Sequence, residues 1–146
     1  MTQEDKMLLI KDLSARLPYA VYVQHTSGFS GTLHDIVIYH KYDENDNIYD
    51  AICYTNFFGD EDNISIEYFK PYLFPISSMT EAQNDSWRDA WFRELMTSTD
   101  VNYPESEKYL ALSHAKSLEW LYKNHFDVNG LINKGLALDA TDKNIY

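Results

Sequence analysis

Along this 146-residue chain the spacing of apolar positions changes at residues 64–80, ISIEYFKPYLFPISSMT. From residue 19 up to that stretch apolar and polar residues alternate with the period of two expected of strands, and beyond it they recur at helical spacing. Ahead of both lies a further helical stripe of Met7, Leu8, Ile10, Leu13 and Leu17. Thr2 reads as its N-cap, with acids in the first turn, and Pro18 as its stop.

Four runs have strand composition: 19–25, 32–40, 48–55 and 64–69, separated by turn-forming residues at 27–31, 43–46 and 58–61. Such short connections favour antiparallel neighbours, hence a meander. A turn at 28–31 pairs Val21 with Ile38 and Val23 with Ile36. A turn at 43–46 pairs Ile38 with Ala51 and Ile36 with Cys53, and one at 58–61 pairs Cys53 with Ile66 and Ala51 with Tyr68. Together these registers put Val21, Val23, Ile36, Ile38, Ala51, Cys53, Ile64 and Ile66 on one apolar face. The other face carries Tyr22, Val37, Tyr39, Ile48, Ile52 and Tyr54, too apolar to stand bare, so a helix, closure into an SH3-like barrel or a second subunit is expected to cover part of it.

Pro71 and Pro75 are expected to end the ladder. Thr80 and Gln83 form a capping box opening a helix with Trp87, Trp91 and Leu95 on one side and Phe92 and Met96 alongside. Residues 97–107 read as a loop, Ser113 as the cap of a second helix, and Asp127 as the cap of a short third one stopped by Gly135. The expected fold is therefore α+β: an N-terminal helix (1–18), a four-stranded antiparallel meander (19–74), three C-terminal helices (75–141) and a frayed tail (142–146), all in one domain.

Charge changes this picture in one place. The net charge is −11, and residues 42–69 hold eight acids and no base. That field repels phosphate backbones, which disfavours direct nucleic-acid binding. Asp43, Glu44, Asp46, Asp60, Glu61 and Asp62 become a candidate acidic interaction face for a basic protein partner. No apolar run reaches the ~18 residues of a membrane span, the N-terminus lacks a basic signal-peptide region, and one cysteine excludes an intrachain disulfide framework, so the expected setting is cytoplasmic.

Candidate chemistry is sparse. Cys53 falls mid-strand on the core face, the setting of a structural cysteine rather than a nucleophile. His25 and His34 face each other in the expected register, but zinc needs three or four ligands and no third is specified, so no metal and no cofactor is expected. Asp43, Asn45 and Asn47 imitate the start of a calcium loop that then lacks its Gly and Glu. No phosphate-binding loop, dinucleotide fingerprint, nucleophile elbow or zinc-protease motif is present.

Three blocks, 8–19 (LLIKDLSARLPY), 70–80 (KPYLFPISSMT) and 120–137 (WLYKNHFDVNGLINKGLA), resemble a family of short uncharacterised proteins of Bacteroidales-type gut bacteria, often encoded in prophages or mobile elements. The resemblance implies a phage- or mobile-element-associated role and carries no activity or site residue. The leading expectation is a non-enzymatic protein–protein interaction protein with an acidic face, with room for a homodimer. The alternatives are a DNA mimic that blocks a nucleic-acid-binding host protein, and a small hydrolase using His and Asp/Glu.

Overall fold

The computed structural model describes residues 1–42, 47–55, 64–96 and 103–146, and side chains at 1–38, 64–92 and 110–146. Helix α1 spans Gln3–Arg16. Thr2 caps it as expected, accepting from the Asp5 N–H (3.1 Å) while Asp5 Oδ2 accepts from the Thr2 N–H (3.3 Å). A 3-10 turn at Leu17–Tyr19 carries Pro18, and left-handed Ala20 (φ 55°) turns the chain into the sheet. The buried stripe is Leu9, Ile10 and Leu13, with Asp12 and Arg16; Met7, expected inside, is 40% exposed.

Strands β1 (Tyr22–His25), β2 (Ser30–Tyr42), β3 (Asn47–Thr55), β4 (Ile64–Ser65), β5 (Phe69–Leu73) and β6 (Leu138–Asp139) form one sheet in the order β4-β3-β2-β1-β5-β6. Strands β1–β4 pair in sequence order as the expected antiparallel meander, but β5 joins on the other side of β1 and β6 runs parallel to β5, so the sheet as a whole is mixed. After a 3-10 turn at Ile66–Tyr68 the chain crosses to pair β5 with β1. Ser65 and Phe69 are four residue steps apart, a reach of at most about 14 Å. A flat sheet would separate its first and fifth strands by about 19 Å. The sheet is therefore curled until β4 and β5 approach each other.

The expected β2–β3 register holds, with Ile36 opposite Cys53 and Ile38 opposite Ala51. The other two do not. Val23 lies opposite Gly31, not Ile36, because the β1–β2 turn forms earlier, at Thr26-Ser27-Gly28. His25 Nδ1 accepts from the Ser27 N–H (3.1 Å), and Gly28 supplies the positive φ (94°) that a three-residue hairpin loop needs. This places Leu33 against Val21 in the core. A bulge at His34 adds one residue, so Leu33 and Ile36 share a face despite their odd spacing. Beyond it Val37 and Ile38 are 43% and 50% exposed, so β2 runs out past the core. Cys53 pairs with Ile64 rather than Ile66, which is buried in the 3-10 turn. The turns at 43–46 and 58–61 lie outside the described residues.

Pro71 does not end the ladder. It sits inside β5 opposite Val23, at a position where β5 donates nothing to β1: the Thr26 N–H bonds Tyr68 C=O (2.9 Å), and alternation makes Val23/Pro71 a non-bonded pair. The core gathers Leu9, Ile10 and Leu13 of α1 with Val21, Val23, Leu33, Ile66, Phe69, Leu73, Leu131, Leu136 and Ala137.

Among the described residues two α-helices, not three, follow β5: α2 (Glu81–Met96) and α3 (Tyr103–Lys123). The third is replaced by turns over 131–135. Asp127 does act as a cap, accepting from the N–H groups of Leu131 (2.8 Å) and Ile132 (2.9 Å), but left-handed Gly130 and Gly135 bracket too few residues for a helix.

A buried ion pair joins the first and last parts of the chain. Arg16 Nε and Nη2 donate to Asp12 Oδ2 (2.6 Å) and Oδ1 (3.1 Å), and neither side chain is exposed. Nη2 also donates to Phe126 C=O (2.7 Å) and Nη1 to Tyr122 C=O (3.4 Å), while Asn129 Nδ2 donates to Asp12 Oδ1 (2.8 Å). Next to it His125 is buried at φ 58°, with Nδ1 unpartnered. Burial, then the Arg16 charge, lowers its pKa to about 4.

Asp12→Ala leaves the Arg16 guanidinium buried without its carboxylate and should cost about 3–5 kcal/mol in urea unfolding, whereas Glu119→Ala, in an exposed pair with Lys116, should stay within about 0.5 kcal/mol. His125 titrates lower folded (about 4) than its ordinary 6.5, so the unfolded chain binds the proton first. Its contribution is complete above pH 6.5 and falls as pH drops toward 4. His125→Asn, which tolerates the left-handed backbone, should flatten that part of the stability profile; an unchanged slope assigns it to other groups.

Candidate functional site

The α2–α3 hairpin carries the most exposed apolar surface among the described residues of the helices. Thr80 and Gln83 close the expected capping box, with the Gln83 N–H donating to Thr80 Oγ1 (3.2 Å) and the Thr80 N–H to Gln83 Oε1 (2.9 Å). Helix α3 begins ten residues before the expected cap Ser113, because Pro104 falls in its first turn, where its missing N–H costs nothing. Ser113 is instead a buried mid-helix contact whose Oγ donates to Trp91 C=O (3.1 Å).

Small side chains of α3 thus meet large ones of α2. Trp87 Nε1 donates to Ser117 Oγ (2.8 Å), and Trp87, Arg88, Trp91, Ser113, His114 and Ser117 line an open groove of about 280 Å³. The tryptophans are half-buried, and no described side chain of α2 is buried. Trp91 meets Phe92 edge-on (5.8 Å, 86°), and Phe92 is itself 46% exposed. Along α3, Leu110, His114 and Leu118 succeed one another at four-residue spacing, and the two leucines are 49% and 47% exposed. Glu81, Asp85 and Asp89 form an exposed acidic row on α2 at the same spacing, and Arg88 at the groove pairs with Asp85 (3.5 Å). The site is an apolar, indole-walled trough with the Ser113 and Ser117 hydroxyls in its lining, and the acidic row lies further round α2.

Of the residues singled out from sequence, Asp43, Glu44, Asp46, Asp60, Glu61 and Asp62 lie outside the described residues. Cys53 stands mid-strand in β3. His25 and His34 are not brought together: His25 ends β1, with Nδ1 on Ser27 (2.6 Å) and its ring on Phe69 (5.4 Å), while His34 occupies the β2 bulge. Among the described residues no three His, Cys, Asp or Glu side chains gather as a metal site, and no helix is long and apolar enough to cross a membrane. The shared side of Trp87 and Trp91 is legible from their four-residue spacing, whereas the groove they line with α3 is not. Compared with protein-family models, curated proteins and solved structures, the chain matches none.

Because both tryptophans keep part of their surface in solvent, Trp87→Ala or Trp91→Ala should cost less than the ~3–5 kcal/mol of a fully buried aromatic. The same variants should abolish binding of an apolar fluorescent dye. A loss of stability at the full-burial level would mean that the groove is closed in solution.

Proposed function

We propose that this protein is a non-enzymatic protein-interaction module whose α2–α3 groove takes a basic, amphipathic helical segment of a partner protein. The observation that carries the reading is the groove itself, where the indoles of Trp87 and Trp91 stay partly open to solvent on a helix whose outer side carries the exposed acidic row Glu81, Asp85 and Asp89. Trp and Arg are the residues that dominate protein interfaces when they line a pocket, and helix-in-groove recognition reads anchors spaced three and four residues apart. The partner's basic character follows from charge: the chain carries −11, and its field favours encounter with a positive segment. A phage- or mobile-element setting, which the sequence resemblance implies, suits a small protein acting by contact.

The strand order β4-β3-β2-β1-β5, with a 3-10 turn linking β4 to β5, supports an SH3-like barrel as the arrangement of the curled sheet. In this reading the barrel is scaffold and the helical hairpin is the working surface. The acids between 43 and 62 would extend the negative field around that surface. DNA mimicry rests on those same acids, and no described surface favours it.

The test is a titration with a model Leu/Lys amphipathic 18-residue helix, followed by tryptophan fluorescence. Micromolar binding at 50 mM salt should weaken at least tenfold at 500 mM and disappear in Trp87→Ala and Trp91→Ala. A Leu/Glu peptide of the same pattern should not bind. Binding that survives both tryptophan variants would reject the groove. A dimer in light scattering that dissociates on Trp91→Ala would give the groove to a second copy of the chain instead.

A further inference from the structure

The β1–β5 ladder is interrupted by a side chain from the last stretch of the sequence. With Thr26/Tyr68 a bonded pair, alternation makes Gln24/Lys70 and then Tyr22/Tyr72 the next bonded positions. At the last of these the Tyr22 N–H does not reach Tyr72 C=O directly. The Tyr22 N–H donates to Tyr146 Oη (3.1 Å), and Tyr146 Oη donates to Tyr72 C=O (2.8 Å). One phenolic hydroxyl thus takes the place of a ladder bond, using its donor and its acceptor together. The ring behind it lies flat on His125 (3.7 Å, 11°) and tilts against Phe74 (5.8 Å). Residues 142–146, expected to be frayed, are therefore anchored at Tyr146.

We propose that this slot is a binding site for 4-hydroxyphenyl groups, such as a tyrosine side chain or a small phenol, and that Tyr146 is its tethered, autoinhibitory occupant. Three features make it a site rather than a packing contact. Its polar end demands one group that both accepts and donates, which a phenol does and a benzene ring, an ammonium or a carboxylate does not. Its wall is a histidine ring, 94% buried with Tyr146 in place, held at φ 58° with Nδ1 unpartnered. Its occupant sits at the end of an exposed strap. The chain is bonded to β5 as far as Ala140, whose N–H meets Leu73 C=O (2.9 Å), and turns at Lys143, whose N–H meets Ala140 C=O (2.9 Å), whereas residues 141–144 are exposed and Tyr146 is 44% exposed. A group held by its own side chain on a short exposed strap competes with free ligand at an effective concentration in the millimolar range. The site is separate from the α2–α3 groove, so either can fail without the other.

The probe is p-cresol, with toluene as its match lacking the hydroxyl. In calorimetric titration of the full chain, Tyr146→Ala should bind p-cresol at least tenfold more tightly than the wild type, and p-cresol should raise its Tm while toluene does not. Tyr146→Phe, which keeps the ring but leaves Tyr22 N–H and Tyr72 C=O unpaired, should fall between the two. Equal affinity of wild type and a folded Tyr146→Ala overturns the proposal, as does a folded Tyr146→Ala that binds no p-cresol or binds toluene equally well. If Tyr146→Ala does not fold, Tyr146→Phe decides: p-cresol affinity no higher than wild type overturns it, and a several-fold gain supports it.

Discussion

A guanidinium removed from water must find partners for its donors, and that demand organises this protein. Arg16 meets it with Asp12, one helical turn back, and with the carbonyls of Tyr122 and Phe126. Those carbonyls belong to the end of α3 and the turn after it, where a helix leaves acceptors unsatisfied and a cation is favoured by the dipole. Asn129 completes the set on Asp12. The guanidinium is held by a carboxylate and two carbonyls at once, so the orientation of α1 against the end of α3 is narrowly specified. The consequences run outward. Phe126 stacks on Trp120, and its neighbours bond β5 through Phe74 N–H to His125 C=O and Asp127 N–H to Phe74 C=O. The last segment then joins β5 as a parallel strand. The blocks 8–19, 70–80 and 120–137, far apart in the chain, meet around this pair.

Legibility followed the range of the interaction. Contacts within four residues were visible: the Thr2 cap, the Thr80/Gln83 box, the Asp127 cap, the left-handed Gly135 and the long β2–β3 hairpin. The β1–β2 register was not, because Gly28 and Gly31 both advertise a turn, and the deciding bond is a side-chain one, His25 to Ser27. The His34 bulge then shifted parity by one, which no alternation pattern reveals in advance. Pro71 and Pro104 misled for a common reason. Proline is excluded only where its missing N–H is needed, and both sit where it is not. Asp12 and Arg16 show the i, i+4 spacing of an ordinary surface pair; only burial distinguishes them. Tyr146 gives no local signal, since its partners are 124 and 74 residues away in sequence.

The candidate groove shows the limit of reading apolar spacing as core. Trp87 and Trp91 repeat with the period of a buried stripe, and α2 does turn that stripe toward α3. Yet α3 offers Ser113 and Ser117 there, small residues that leave a trough where leucines would have filled it. Periodicity identifies which side of a helix meets its neighbour. It does not say whether the neighbour is wide enough to cover that side.

The placement of these features has a functional logic. The fully buried side chains of the described residues concentrate in α1, β1, the start of β2, the 3-10 turn, β5 and the loop around Leu131. The far part of β2 and the α2–α3 hairpin expose apolar surface beyond that centre. A partner laid into the hairpin would bury apolar area without disturbing the Asp12–Arg16 hub, because Ser113 and Ser117 precede the end of α3 that Arg16 holds. The Tyr146 slot lies on the opposite terms, at the β1–β5 seam beside His125 and within reach of that hub. Filling or emptying it acts on the ladder that carries the fold, so an occupant there changes stability, while an occupant of the groove adds contacts to a scaffold already formed.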